Sequence, residues 1–101
     1  MSVIEIVRYR IKETANAEQA IAAWHKSQDF ANAQPGFKRR QLASSDNGEW
    51  IDVVEWDSME DAKAAAATFD PGKYPELMDL VAVLDDTSMS MDHFTVKGST
   101  S

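Results

Sequence analysis

Two segments of the sequence carry apolar residues at both alternating positions of a predicted strand. In the first, Val3–Ile11, the apolar residues divide between one side, with Val3, Val7, Tyr9 and Ile11, and the other, with Ile4 and Ile6. In the second, Trp50–Trp56, they divide between Trp50, Val54 and Trp56 on one side and Ile51 and Val53 on the other. Because successive side chains of a strand point to opposite faces, a sheet built from these strands must be covered on both faces.

The second of these strands belongs to a predicted antiparallel hairpin. Pro35-Gly36 is a turn dipeptide, and a strand over Phe37–Ala43 follows it. Asn47-Gly48 is the dipeptide preferred by two-residue type I′ turns. We therefore expect Glu49–Trp56 to return antiparallel beside the first strand of the hairpin.

Two capping residues predict where the main helices begin. Asn16 starts the first helix, because Gln19 completes the spacing of a capping box, and this helix should end near Asn32. Ser58 starts a second helix over Met59–Phe69. The predicted apolar stripe of the first helix consists of Ala17, Ala20, Ile21, Trp24 and Ala31.

The rest of the chain supplies a further helical piece and a last strand. Pro75 suits the first turn of a helix that reaches about Leu84. Asp85-Asp86-Thr87 is expected to form a loop before a strand over Met89–Val96, and residues 98–101 a flexible tail. The apolar side of this third helix consists of Leu77, Leu80, Val81 and Leu84.

The predicted order β–α–β–β–α–β is that of an α+β, ferredoxin-like split βαβ fold with a four-stranded antiparallel sheet. Two helices can cover only one face of four strands, and the chain has no further element for the other face. Since that face is also apolar, we expect a second copy of the sheet to cover it in a symmetric homodimer.

Composition argues against several classes of function. The net charge of −7 disfavours nucleic-acid binding, because neutralising phosphates requires a basic surface. The absence of cysteine excludes disulfides, thiolate metal sites and cysteine nucleophiles, and it fits a cytoplasmic location. No apolar run approaches the roughly 20 residues needed to cross a bilayer, so we expect no membrane partner.

The charges are unevenly distributed along the chain. Residues 1–45 carry seven Lys and Arg against four Asp and Glu, whereas residues 46–101 carry three against thirteen. This pattern favours charge pairing between neighbouring strands over a basic patch for a partner. The run Lys38-Arg39-Arg40 is interpreted as the charged protection of an edge strand.

Pro35-Gly36-Phe37, followed by a strand, a short turn and the segment VVEWDSMEDAKA, resembles the antibiotic biosynthesis monooxygenase (ABM) type of domain in the dimeric α+β barrel superfamily. The likeness covers nearly the whole chain in element order and implies one domain over residues 1–97. In specific residues it rests on the PGF motif and on Trp56, Ser58, Glu60 and Ala62.

The resemblance also bears on cofactors. Haem degraders of this superfamily share an Asn on the first strand and a Trp and a His on the second helix. Val3–Tyr9 contains no Asn, and Met59–Phe69 contains neither Trp nor His. We therefore expect no haem and no other cofactor.

His25 and Tyr74 are the candidate catalytic residues. His25 follows Trp24 on the first helix and could face the space between helix and sheet, where the ordinary pKa of an imidazole suits proton transfer. The alternative is an exposed or structurally hydrogen-bonded side chain. Tyr74 matches, by region, the aromatic pocket of the cofactor-free monooxygenases. Neither this histidine nor His93 has the spacing of a metal ligand, so no metal site is expected.

Trp24, Glu5, Tyr9 and His93 are the candidate ligand-binding residues. If Glu5 faces the helices, it is a carboxylate in an apolar setting with a raised pKa and could act as a base. If it lies near a basic residue, it is only an ion-pair partner. His93 lies on the same side of the last strand as Met89 and Met91, and it borders either the cavity or the dimer interface.

The leading functional hypothesis is a cofactor-independent monooxygenase that acts on a small aromatic or quinol-like molecule between the helices and the sheet. One alternative is a non-catalytic dimer that binds a small hydrophobic ligand or has a stress-related role. Another is an acid–base isomerase that uses Glu5 or His93 as its base.

Overall fold

Four strands and three α-helices follow one another in the predicted order. The computed structural model describes residues 1–100. The strands are β1 (Val3–Ile11), β2 (Phe37–Ser44), β3 (Trp50–Trp56) and β4 (Leu84–Thr95). The helices are α1 (Ala17–Asn32), α2 (Met59–Thr68) and α3 (Met78–Val83), the last preceded by a 3₁₀ turn at Pro75–Leu77.

The strands form one antiparallel sheet in the order β2-β3-β1-β4, which confirms the predicted ferredoxin-like fold. The two strands with apolar residues on both sides, β1 and β3, lie at the centre. Val3 pairs with Trp56 and Tyr9 with Trp50, so the buried sides of these strands coincide. The helices pack against that side.

The opposite side of the sheet, here called the outer face, has no covering element within residues 1–100. Its central residues Ile4, Ile6, Ile51 and Val53 are half-buried. Phe94 of β4, which pairs with Ile4, is 51% exposed. The sheet is therefore apolar on both faces and covered on one.

Both predicted helix starts are confirmed. Asn16 and Gln19 form a complete capping box, and Ser58 accepts a hydrogen bond from the backbone of Asp61. The predicted stripe of α1 is partly wrong, because Ala17 and Ile21 are exposed. The helix is rotated so that it packs through small side chains and one aromatic ring, namely Ala20, Ala23, Ser27, Phe30 and Ala31.

The hairpin between β2 and β3 is confirmed, but the predicted turn type is wrong. A type I′ turn requires positive φ at both central residues. Only Gly48 has it, at +87°, and Asn47 does not. Instead Gly48 N–H donates to the Ser45 carbonyl at 3.1 Å, and Ser45 N–H donates to the Glu49 carbonyl at 2.8 Å. The longer loop moves the start of β3 to Trp50.

The predicted loop at Asp85-Asp86-Thr87 is also wrong, because β4 begins at Leu84 and pairs with β1 from its first residue. Beside this segment the pairing of β4 with β1 is irregular, because its register shifts between Arg8 and Arg10 of β1. There Thr87 N–H donates to the Asp85 carboxylate at 3.1 Å. Pairing with a central strand outweighs the local preference for a loop.

The expected pairing of charges between strands is confirmed. Lys38 and Arg39 of the edge strand β2 both contact Glu55 of β3, at 3.5 and 2.9 Å. No helix within residues 1–100 is long and apolar enough to cross a membrane. Residues 98–100 of the predicted tail have no regular structure, and residue 101 lies outside the described range.

The turn before β2 generates a test of the fold. Gly36 has φ +81°, and a Cβ there would lie 2.7 Å from the Cβ of Asp61. We expect Gly36→Ala to lower the free energy of unfolding in urea by about 1–2 kcal/mol for the left-handed conformation, with a further loss for the overlap.

Gly48→Ala is the matched control for this substitution. Its φ is +87°, but its added Cβ would meet only the end of the Arg10 side chain at 3.1 Å. This variant should show the conformational cost alone. Equal losses in the two variants would contradict the close approach of Asp61.

Candidate functional site

A cavity of about 480 Å³ lies between the sheet and the helices. Most of its wall is apolar and contains several aromatic and leucine side chains. These include Phe30, Trp56, Phe69, Leu77 and Leu80. The space remains because the helices present small side chains there, such as Ser27, Ala31, Ala65 and Ala66.

Charged and polar side chains line the cavity where it meets the sheet. This polar floor, as it is called below, consists of Glu5 and Tyr9 of β1, Arg40 of β2 and Asp52 of β3. Glu5 and Tyr9 share one side of β1 because they are an even number of residues apart. The floor therefore collects polar groups from three neighbouring strands beneath an apolar chamber.

Arg40 and Asp52 form a bidentate ion pair within this floor. The Arg40 Nε and Nη2 atoms lie 3.0 and 2.7 Å from the two carboxylate oxygens of Asp52. The side chains are only 7% and 9% exposed. Arg40 Nη1 also donates to Ser27 Oγ of α1 at 2.9 Å. A buried pair with these additional hydrogen bonds meets the condition under which burying two charges is tolerated.

Glu5 forms the second polar contact, with His93 of the neighbouring strand β4. Glu5 Oε2 and His93 Nε2 are 2.9 Å apart. Burial raises the pKa of Glu5, while the hydrogen bond and charge of His93 oppose the rise. The negative charge of Asp52 adds to the rise and Arg40 reduces it. The pair can therefore hold a proton in an apolar setting and exchange it with a bound molecule.

Tyr9 is 2% exposed and lines the cavity beside this cluster. Burial, reinforced by the charge of Asp52, raises the pKa of Tyr9 to about 12. Its hydroxyl is therefore protonated at neutral pH. Among the described residues it has no hydrogen-bond partner, and neither has the indole N–H of Trp56.

Of the predicted site residues, Glu5 and Tyr9 line the cavity, and His93 contacts Glu5 without lining the cavity itself. Both readings of Glu5 apply in part, because it faces the helices and also contacts a basic side chain.

The polar floor further includes Asp52, which sequence reasoning missed, and Arg40, whose interpretation as protection of the edge strand is wrong because its side chain turns inward and is buried. Asp52 lies on the same buried side of its strand as Trp50 and Trp56. A charged residue on that apolar side was the feature of the sequence that could have identified it.

The remaining predicted residues lie outside the cavity wall. His25 is exposed and packs edge-on against Trp24, with ring centroids 5.0 Å apart. Both line a separate groove beside the edge strand β2. Trp24 also lies under the Arg40 guanidinium, at 4.8 Å from the ring centroid. Tyr74 packs edge-to-face against Phe30, with ring centroids 5.0 Å apart, and does not line the cavity.

Within residues 1–100, no three His, Asp or Glu side chains converge as the ligands of a metal ion would. The Glu5–His93 contact offers a proton carrier at the edge of a largely apolar chamber. An aromatic molecule could fill the chamber and present its polar groups to the floor.

No protein-family model matches the chain, and the comparison with curated proteins gives no significant match. Solved structures do match. SnoaB, a cofactor-independent oxygenase from Streptomyces nogalater, is 19% identical with a TM-score of 0.74 over 97% of this chain and 95% of that one. A proposed antibiotic biosynthesis monooxygenase from Bordetella bronchiseptica is 10% identical, with a TM-score of 0.77 over 94% and 96% of the two chains.

The chain has an ABM-like fold. At these identities the similarity establishes the architecture, and it confirms the fold that the PGF motif and the element order predict. A dimeric ferredoxin-like protein of unknown function from Thermobifida fusca also matches. It is 16% identical, with a TM-score of 0.68 over 95% of this chain and 92% of that one.

The raised pKa of Glu5 generates a test by pH. The folded state keeps the Glu5 proton at pH values where the unfolded chain, with the ordinary value of 4.5, has lost it. This contribution to stability is complete below pH 4.5 and is lost as the pH rises through the raised pKa. The free energy of unfolding of Glu5→Gln, minus that of the wild type, should therefore increase from acid to neutral pH.

Urea unfolding across this pH range measures the difference. Glu13→Gln, at an exposed position, controls for removing one negative charge from an acidic chain. A Glu5→Gln difference that is constant with pH, or that decreases as the pH rises, would contradict the raised pKa.

Proposed function

We propose that this protein is a cofactor-independent monooxygenase whose substrate is a small, reduced aromatic molecule of the quinol type. One observation carries the proposal: the buried carboxylate of Glu5, which contacts the half-buried imidazole of His93, stands on the floor of an apolar chamber large enough for an aromatic molecule. Support comes from SnoaB, which shares the fold and is a cofactor-independent oxygenase.

The reaction needs no external reductant, because the substrate supplies all the electrons. A quinol and O₂ give a hydroxyquinone and water: one oxygen atom forms the new hydroxyl group, and the other leaves as water. The four electrons that reduce O₂ come from the ring. The protein then has to bind the ring, move protons and exclude bulk water.

The Glu5–His93 pair is the proton acceptor in this proposal. Removal of the phenolic proton makes the ring electron-rich enough to react with O₂. The same pair returns a proton to the oxygen atom that leaves as water. Burial suits this role, because the raised pKa of Glu5 brings its proton affinity closer to that of a phenol.

The apolar walls supply shape and dryness. Phe30 and Phe69 meet edge-to-face at 5.8 Å on the helix side of the chamber and offer aromatic surfaces to a flat ring. Met89 and Met91 of β4 add adaptable side chains opposite the helices. The cavity volume of about 480 Å³ lies in the usual range for small-molecule sites.

Oxygen uptake tests the proposed reaction. With naphthohydroquinone as the probe, the wild type should consume O₂ faster than the buffer does, and Glu5→Gln should lower the protein-dependent rate about 100-fold or more. Glu13→Gln, at an exposed position, should keep the wild-type rate. His25→Ala tests the base that the sequence suggested, and its rate should fall if that residue carries the proton.

Three outcomes separate the functional classes. A falling rate in Glu5→Gln with wild-type rates in both other variants supports the proposal. Thermal stabilisation by the quinol without oxygen uptake would indicate a binding protein instead. Anaerobic isomerisation that depends on Glu5 would indicate the acid–base isomerase.

We also propose that the chain forms a homodimer through the outer face. Ile6 and Val53 are paired in register at the centre of this face, and nothing in residues 1–100 covers them. Charges of both signs surround them, including Arg39 and Asp92, so a twofold arrangement can pair unlike charges. The related fold from Thermobifida fusca is a dimer.

Sedimentation velocity tests the dimer. Val53→Lys should shift the wild-type dimer to a monomer and weaken association about 100-fold or more, because a charge would be buried without a partner. Met78→Lys is the matched control, since Met78 is an exposed apolar residue on α3 at 57% exposure. A wild type that sediments as a monomer at micromolar concentration would overturn the proposal.

A further inference from the structure

The cavity wall contains more hydrogen-bond donors than the protein satisfies. Three buried side-chain atoms lack a partner among the described residues, and two of them belong to residues that line the cavity: the hydroxyl of Tyr9 and the indole N–H of Trp56. Both residues are nearly fully buried, at 2% and 3% exposure. A buried donor without a partner costs free energy, so such atoms mark positions where a ligand can supply an acceptor.

Three of the four carboxylate oxygens on the same floor are already engaged. Both oxygens of Asp52 accept from Arg40, and Glu5 is bonded to His93. The floor thus needs acceptors from a bound molecule. Tyr9 has the clearer role of the two donors, because it belongs to the polar floor together with Arg40 and Asp52.

The surrounding charges decide which kind of acceptor suits Tyr9. Burial is the largest cause of the raised pKa of Tyr9, and the charge of Asp52 adds more to the rise than Arg40 takes away. A carboxylate or another anion placed there would be repelled. A neutral carbonyl oxygen accepts the hydrogen bond without that repulsion.

We propose that the Tyr9 hydroxyl donates to a neutral carbonyl oxygen of an aromatic molecule in the cavity, the group that a quinol gains when it becomes a quinone. The inference deepens the proposed oxygenase function and rests on it for the aromatic class. In that reaction a phenolic oxygen becomes a carbonyl, and Tyr9 stabilises it as it forms. Trp56 lies on β3 six residues beyond Trp50, the residue that pairs with Tyr9. Its indole N–H can donate to a second acceptor on a longer ligand.

Binding of three naphthalene probes without turnover tests the inference. 1,4-Naphthoquinone carries carbonyl oxygens, naphthalene carries none, and 2-naphthoate carries a charged carboxylate. Because the chain has no cysteine, the quinone has no thiol to alkylate. Dissociation constants come from NMR titration of the ¹⁵N-labelled protein, performed anaerobically.

We expect the wild type to bind the quinone more tightly than either of the other probes. Tyr9→Phe should weaken quinone binding about five- to tenfold, the usual effect of losing one neutral hydrogen bond, and should leave naphthalene binding within about twofold. Thr68→Val removes a hydroxyl that donates to the Ala64 carbonyl, away from the cavity wall, and should change neither constant.

Two results would overturn the inference: an unchanged quinone constant in Tyr9→Phe, or an equal loss for quinone and naphthalene, which a purely structural effect would produce. Tighter binding of 2-naphthoate than of the quinone would show that the site takes an anion. These dissociation constants are measured without oxygen, so this test and the oxygen-uptake test can fail independently. A protein that consumes no oxygen can still bind the quinone more tightly than the other probes. Oxygen uptake can equally persist in a protein whose Tyr9 makes no such bond.

Discussion

A buried ion pair between Arg40 and Asp52 holds the edge strand, a central strand and the first helix in one arrangement. The guanidinium reaches from β2 to the Asp52 carboxylate on β3 and then to Ser27 on α1. Burying two charges costs several kcal/mol per ion unless hydrogen bonds satisfy both, and here they do. The alignment of α1 with the sheet therefore depends on this contact.

The same pair sets the electrostatics of the cavity. Its two charges act in opposite directions on the two titratable groups of β1 that line the cavity: Asp52 raises the pKa values of Glu5 and Tyr9, and Arg40 lowers them. Burial is the larger cause in each case. The result is a floor with a carboxylate of raised pKa and a protonated phenol on the same face of β1, which suits phenol chemistry.

Small residues on the helices make the room for that chemistry. Ala31 and Ala65 face the sheet where larger side chains would fill the space. An unfilled apolar space reduces stability, because the surrounding atoms lose packing contacts. Proteins commonly accept such a loss where a ligand completes the packing, and the unsatisfied donor of Tyr9 lies on the same cavity wall.

Most of the fold was predictable because its signals are local. The caps at Asn16 and Ser58 and the turn at Pro35-Gly36 each depend on residues within a few positions of one another. The failures are equally informative. The segment at Asp85-Asp86-Thr87 has the composition of a loop, but pairing with β1 makes it a strand.

For the site, the sequence by itself determined the candidates and the faces on which they lie. Alternation along β1 places Glu5 and Tyr9 on one side, and alternation along β4 places His93 with the methionines. Only the tertiary structure decided that Glu5 meets His93, that Arg40 turns inward to Asp52 and that His25 stays exposed. These outcomes depend on strand order, register and the rotation of α1, which arise from contacts between residues far apart in the chain.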